Sequence, residues 1–238
     1  MEKIKKILIN KDRTYYWKSN DLHTKDGFFK AKNLEKSKNK IKSSIKKEFF
    51  VLEPNFIDLI KKIKRAPQIM MQKDIGLILA NTNIDKASMV LDAGTGSGAL
   101  AANLARFVKK VVSYEIRKEF YKIAKNNFEF LGINNIELKN RDIYRGIKEK
   151  NLDLIVLDLP EPYRALANCH KSLKRGSFLV CYLPSLTQVY ELNNSLRNKF
   201  TLIKISELTE RKWITEEKRI KPISISPITA FLVFLRKV

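Results

Sequence analysis

Apolar residues follow two rhythms along this chain. From residue 74 onward, short unbroken apolar runs alternate with stretches of helical spacing. "MVLDAG", "KVVSYE", "IELKN", "LDLIVLDL" and "SFLVCYL" are runs of strand length rich in Val, Ile and Leu, which predicts strands. Between them "DIGLILANTNI", "GALAANLARF", "KEFYKIAKNNFEFLG" and "LTQVYELNNSLRN" repeat their apolar residues every three or four positions. In the third of these Phe120, Ala124, Phe128 and Leu131 share one face and Gly132 supplies the stop. In the first, Asp74 is an N-cap candidate. Two more strand-like runs, "FTLIKISEL" and "TAFLVFLRKV", follow near the end. Strands alternating with helices predict an α/β fold, a mostly parallel sheet covered on both faces.

The first 65 residues read differently. Short runs, "KILIN", "TYYW", "GFF" and "EFFVL", are separated by polar turn residues and predict several short strands of a small β domain. "KNLEKSKNKIKSSIKKE" is nearly all Lys, Ser and Asn and reads as an exposed loop or hairpin. Aromatic residues on both sides of it suit an RNA-contacting surface. "NFIDLIKKIKRAP" has helical spacing, ends before Pro67 and makes a linker. Two domains are therefore expected, residues 1–65 and residues 66–238.

Charge sharpens the division. The chain carries 47 Lys plus Arg against 25 Asp plus Glu, a net +22, and half of that excess lies in residues 1–65. A field of this size favours a polyanionic partner, and nucleic acid is the commonest. A heat-adapted surface would raise Glu together with Lys, and here the acids do not keep pace. Cys169 and Cys181 are the only cysteines and have no His at metal-ligand spacing, so buried thiols and no metal are expected. No run approaches the ~20 apolar residues of a membrane span, and the N-terminus lacks the apolar block of a signal peptide. The expectation is a cytoplasmic chain without a membrane partner.

Candidate chemistry lies at the strand ends, where open α/β sheets bind ligands. The first strand runs into "VLDAGTGSG", whose Gly94, Gly96 and Gly98 permit tight turning and close approach to a ligand. The second ends at Glu115, nineteen residues beyond Gly96, where an acid is placed to accept two ribose hydroxyls. The third leads to Asp142, suited to an adenine amino group. The fourth ends in "DLPEP", leaving Asp158 ahead of a Pro160 and Pro162 frame. A nicotinamide dehydrogenase would explain the first two features but not "DLPEP", and Ala99 replaces the third glycine of the dinucleotide fingerprint. The set looks like a class I S-adenosylmethionine-dependent methyltransferase, which implies a Rossmann-like sheet. Asp158 then has a catalytic role. Methylation at adenine N1 makes the ring cationic, and a carboxylate accepting from the exocyclic amino group stabilises that charge and orients the base.

A narrower resemblance covers nearly the whole chain. "LHTKDGFF", "EFFVLEPNFIDLIKKIKRAPQIMMQKDIGLIL", "LDAGTGSGAL", "LDLPEPY", "YLPSLTQV", "RKWITEEKRIKP" and "TAFLVFLRK" together resemble the tRNA (adenine-N1)-methyltransferases of the T-loop, in their homo-oligomeric bacterial and archaeal branch. The resemblance implies cofactor contacts at Met70, Gly94, Thr95, Gly96, Ser97, Gly98, Glu115, Asp142 and Ile143, with Asp158 catalytic. It also implies S-adenosyl-L-methionine as cofactor, tRNA as partner, a homotetramer, and modification of adenosine 58, with archaeal members also acting on position 57. Two departures stand out. Met71 and Gln72 replace an aromatic or His followed by Pro, and Ile228 replaces the His of a Gly-His-Thr segment. Two other functions remain open, a non-catalytic RNA-binding subunit that kept the fold and a methyltransferase for another RNA base or for protein. His23, in "DLHTKDG", is a structural residue in this reading, because adenine N1 needs no deprotonation.

Overall fold

The computed structural model describes residues 2–66, 68–216, 219–223 and 230–238. Pro67 and the departure at Ile228 lie outside the described residues. The chain divides into two compact units, Met1–Ile63 and Lys64–Val238.

The first unit begins with β1 (Lys6–Ile9), β2 (Thr14–Trp17), β3 (Leu22–Thr24), β4 (Gly27–Phe29) and α1 (Ala31–Lys36). It continues with β5 (Lys40–Lys42), β6 (Glu48–Leu52) and α2 (Phe56–Ile60). Four strands form an antiparallel sheet in the order β2-β1-β6-β5, and β3 pairs with β4 as a separate hairpin. The alternation in "EFFVL" sends Phe49 and Val51 inward and Phe50 and Leu52 to solvent. The inward pair joins Leu8, Trp17, Phe29, Leu34 and Ile41 in one core. The Lys-rich stretch is therefore not wholly a loop. Leu34 and Ile41 are its buried apolar residues, and each anchors a short element, α1 and β5. Lys6 fastens the end of α1 by donating Nζ to the carbonyls of Leu34, Glu35 and Ser37 at 2.6–2.7 Å. The expected linker helix is also shorter. A capping box between Asn55 and Asp58 starts α2, which ends at Ile60.

The second unit contains α3 (Gln72–Asn81), β7 (Met89–Ala93), α4 (Ala99–Leu104), β8 (Lys110–Tyr114), α5 (Lys118–Leu131) and β9 (Ile136–Lys139). Then come β10 (Leu152–Leu157), α6 (Leu166–Ser172), β11 (Leu173–Leu183), α7 (Leu186–Asn194) and β12 (Phe200–Ser206). A hairpin of β13 (Trp213–Glu216) and β14 (Arg219–Pro222), which the sequence reading missed, precedes the closing β15 (Phe231–Lys237). Seven strands form one sheet in the order β12-β15-β11-β10-β7-β8-β9. The five strands from β11 to β9 run parallel, and β15 is antiparallel to both its neighbours. This is the Rossmann-like α/β architecture expected from the sequence. Leu91, Val112, Ile155, Leu157, Leu179 and Val233 belong to one continuous core. Asp74 is not an N-cap. Met71 holds that position, and Asp74 is fully buried on α3 with its carboxylate 2.7 Å from Lys73 Nζ.

From β7 the chain moves outward through β8 and β9, then returns to β10 on the other flank of β7. The carboxyl ends of β7 and β10 thus border the point where strand order reverses, the place where such sheets bind ligands. The loop after β7 is packed tightly. Gly98 has φ +82°, and a Cβ there would meet the Phe128 ring at 2.4 Å. Gly98→Ala is expected to cost about 2 kcal/mol from backbone strain and overpacking, read as a lower urea midpoint with an unchanged slope. An unchanged midpoint would show that the loop relaxes freely.

Candidate active site

The close approach of the β7 and β10 ends builds the site. The Asp158 amide donates to the Ala93 carbonyl at 2.9 Å, and the Gly94 amide donates to the Tyr114 carbonyl at 3.0 Å. Gly94 has φ +92°, and a Cβ there would fall 2.1 Å from the Asp158 carbonyl oxygen. Only glycine lets the two loops touch.

Two cavities meet at this contact. One, of about 290 Å³, is lined by Tyr114, Glu115, Ile116, Asp142, Ile143 and Tyr144 among others. The other, of about 400 Å³, is lined by Ala66, Gln68, Gly96, Phe120, Pro184 and Gln188 among others. Gly94, Arg117, Asp158, Leu159 and Pro160 line both.

Glu115 is 1% exposed at the end of β8. Its Oε2 accepts from the Gly96 amide at 2.9 Å and its Oε1 from the Arg117 amide at 2.9 Å. Oε2 has a second acceptor site, and Oε1 has only the long 3.5 Å approach of Arg117 Nε as its second donor, so the carboxylate keeps capacity for ribose hydroxyls. Asp142 accepts from the Tyr144 amide at 2.9 Å as the cap of a short 3₁₀ turn, and Ile143 is buried against the same cavity. The first cavity therefore suits an adenosine, with apolar walls and acids at its ribose and amino ends.

Asp158 directly follows β10. Its carboxyl is pushed up to about 6, chiefly by burial, with the Arg117 cation opposing and the Glu115 charge adding to the rise. Among the described residues no hydrogen bond reaches its side chain. The carboxylate is ionised at neutral pH and available to a ligand donor in either cavity. Glu161, three residues on, is held outside by Tyr163 and Arg164 at 2.8 and 2.7 Å.

Not every expected residue lines a cavity. Thr95, Ser97 and Gly98 shape the loop from behind, Thr95 through a 2.6 Å hydroxyl contact with Ser113 and Ser97 through its carbonyl, which accepts from Asn127 at 2.8 Å. Met70 is buried but lines neither cavity, whereas Ala66 and Gln68 of the same segment line the second. Met71 is 39% exposed. His23 lies in the first unit, exposed and stacked on Phe28.

Sequence reasoning passed over Asp92, Ser113, Arg117 and Gln188. Asp92 is 1% exposed within β7 and accepts from Ser113 Oγ at 2.7 Å. The chain Thr95–Ser113–Asp92 ties the glycine loop to the sheet. Burial pushes the Asp92 carboxyl up to about 7, with the Asp158 and Glu115 charges adding to it and the Ser113 bond opposing. The signal was an acid inside an apolar run. Arg117 stacks its guanidinium over the Phe120 ring at 3.9 Å and brings Nε to 3.5 Å from Glu115. Among the described residues no cluster of three His, Cys, Asp or Glu side chains is placed to hold a metal. Cys169 and Cys181 are buried free thiols, and among the described residues no helix is long and apolar enough to cross a membrane.

A glycine loop at the switch point, a buried acid beside it and an adenosine-sized cavity fit a Rossmann-like methyltransferase that uses S-adenosyl-L-methionine. Comparison with known proteins narrows this class. The profile of the tRNA methyltransferase complex GCD14 subunit family matches residues 49–230, and the chain belongs to that family. It is 34% identical over 206 residues to the tRNA (adenine(57)-N(1)/adenine(58)-N(1))-methyltransferase TrmI of Methanocaldococcus jannaschii, covering 73% of each chain. The crystal structure of the tRNA (m1A58) methyltransferase TrmI from Aquifex aeolicus superposes with a TM-score of 0.87 at 28% identity, over 100% of this chain and 98% of that one. A structure named as an S-adenosylmethionine-dependent O-methyltransferase from Thermotoga maritima superposes with a TM-score of 0.88 at 29% identity, over 100% and 94% of the two chains.

Asp92 gives a stability test with a definite sign. Between the ordinary carboxylate range and about pH 7 the unfolded chain releases this proton and the folded chain keeps it, so its contribution to stability falls as pH rises. Asp92→Asn removes that dependence. Its melting temperature relative to the unsubstituted protein is expected to climb by several degrees from pH 5 to pH 8. A constant difference across that range would mean that Asp92 ionises in the folded state as it does in water.

Proposed function

We propose that this protein transfers a methyl group from S-adenosylmethionine to N1 of an adenine in the T-loop of tRNA, at position 58, with position 57 as a second site. The observation that carries the reading is Asp158, an ionisable carboxylate shared by both cavities and free of side-chain hydrogen bonds among the described residues. The bound cofactor supplies an electrophilic methyl carbon. Glu115, Asp142 and Ile143 would hold its adenosine in the first cavity, which shares Gly94 and Asp158 with the second. The target base enters the second cavity. There Asp158 accepts from the 6-amino group, orients N1, and stabilises the positive charge that develops on the ring. Adenine N1 carries a free lone pair, so the chain needs no general base.

The Thermotoga structure's name suggests transfer to oxygen instead. A hydroxyl nucleophile must lose a proton as it attacks, so that reading would require Asp158 to act as a base, whereas adenine N1 needs only an acceptor. The charge of +22 also fits a polyanion better than a small hydroxylated acceptor. In this reading the first unit grips the phosphate backbone, and Lys38, Lys40 and Lys42, all exposed around β5, are its contacts. The homotetrameric assembly implied by the family resemblance and the cytoplasmic location expected from the sequence belong to the same proposal.

The test is incubation of the purified protein with unmodified tRNA transcript and S-adenosylmethionine, followed by nucleoside mass spectrometry and primer-extension mapping. N1-methyladenosine is expected in the T-loop. Methylation of another nucleoside, or none, would overturn the assignment. Asp158→Ala is expected to lower turnover by at least about a hundredfold, the scale of losing one preorganised electrostatic partner, while keeping cofactor affinity. Glu115→Ala is expected to weaken cofactor binding itself, read by calorimetric titration. Replacing Lys38, Lys40 and Lys42 together with Gln is expected to weaken tRNA binding and reduce the slope of log affinity against log salt by up to about 3. An unchanged slope would place the RNA surface elsewhere.

A further inference from the structure

The second cavity is lined by one more polar side chain, and its hydrogen bonding is incomplete. Gln188 stands in the first turn of α7, and its Nε2 donates to the Pro160 carbonyl at 2.9 Å. A carbonyl can only accept, so this bond fixes which end of the amide is which. The other end, Oε1, is buried and has no hydrogen-bond partner among the described residues. Burying an acceptor without a partner is costly, and the cavity that Gln188 lines is the one that also holds Asp158. Nothing in the catalytic account above uses this oxygen.

We propose that Gln188 determines specificity for adenine by accepting, at Oε1, the second hydrogen of the target's 6-amino group. The inference rests on the adenine-N1 reading and deepens it. An exocyclic amino group has two N–H bonds. Asp158 accepts one, and a second acceptor lining the same cavity accepts the other. Pro160 is both the brace for Gln188 and the second residue after Asp158, so the two acceptors are set relative to each other by one short segment. The pair also rejects the wrong purine. The 6-oxo group of guanine would set an acceptor against two acceptors, leaving every one of them unpaired, which is the most effective kind of discrimination a buried polar site offers. At a T-loop where purines adjoin, this decides which base the methyl group reaches.

The experiment uses the full-length protein, radiolabelled S-adenosylmethionine at saturation, and two tRNA transcripts. One has adenosine at the methylated position and the other has purine riboside, which lacks the 6-amino group. Gln188→Met is expected to lower kcat/KM on the adenosine transcript roughly tenfold, the effect of one lost hydrogen bond, and to leave purine riboside unchanged. Gln188→Glu retains an acceptor and is expected to keep more of the preference for adenosine than Gln188→Met. A residue that merely braces Pro160 would lower both substrates equally when replaced, and that result would overturn the inference while leaving adenine methylation intact. No drop on adenosine would overturn it as well. Failure of the unsubstituted protein to methylate the adenosine transcript would instead reject the adenine-N1 reading, and this inference with it.

Discussion

The hydrogen bond from the Asp158 amide to the Ala93 carbonyl, 2.9 Å long, joins the ends of β10 and β7, and the site hangs from that contact. Because the two loops touch, the residue after β7 must be glycine, with its Cβ position already occupied by the Asp158 carbonyl oxygen. Because the residue there is glycine, the backbone turns away with positive φ and lines both cavities. Because the bond fixes its main chain, the Asp158 side chain projects where both cavities meet. Each feature follows from sheet topology. The strand order reverses between β7 and β10, and only there do adjacent strands send their connections to opposite flanks.

Electrostatics works against this geometry and is tuned by it. Asp92, Glu115 and Asp158 bring three carboxyl groups near one another in a half-buried place. Asp92, the deepest, is pushed up to about 7, and its bond from Ser113 offsets part of the burial penalty. Glu115 accepts two backbone amides and lies beside Arg117. Asp158 reaches only about 6, because Arg117 opposes burial. Arg117 thus keeps Asp158 ionised at neutral pH, and its stacking on Phe120 sets its place. Similar residues take different states because they differ in solvation and partners.

Much of the second unit was legible in the sequence because parallel strands are buried on both faces and read as unbroken apolar runs. β7, β8, β10 and the acids or glycines that end them were found that way. The misses have physical causes. The β13–β14 hairpin exposes Trp213 and Ile220, so it has no burial pattern to read. α1 and β5 each rest on a single buried apolar residue within a run of lysines, and composition outweighed Leu34 and Ile41. Asp74 suggested a helix start but is a fully buried side chain paired with Lys73. At the site, Glu115, Asp142 and Asp158 were recognisable because each lies within three residues after a strand. Gln188 was not, because its meaning depends on Pro160, twenty-eight residues earlier, and on an oxygen whose isolation appears only in three dimensions.

The account stands on an ionised Asp158 acting as acceptor rather than base. The most direct measurement is the single-turnover methylation rate on tRNA transcript between pH 5 and pH 9, for the unsubstituted protein and for Asp158→Asn. The expected profile rises through one ionisation near pH 6 and is flat above it, while Asp158→Asn is slow and without that step. A rate that keeps rising through pH 8, or a step near pH 6 that persists in Asp158→Asn, would contradict the assignment of the carboxylate.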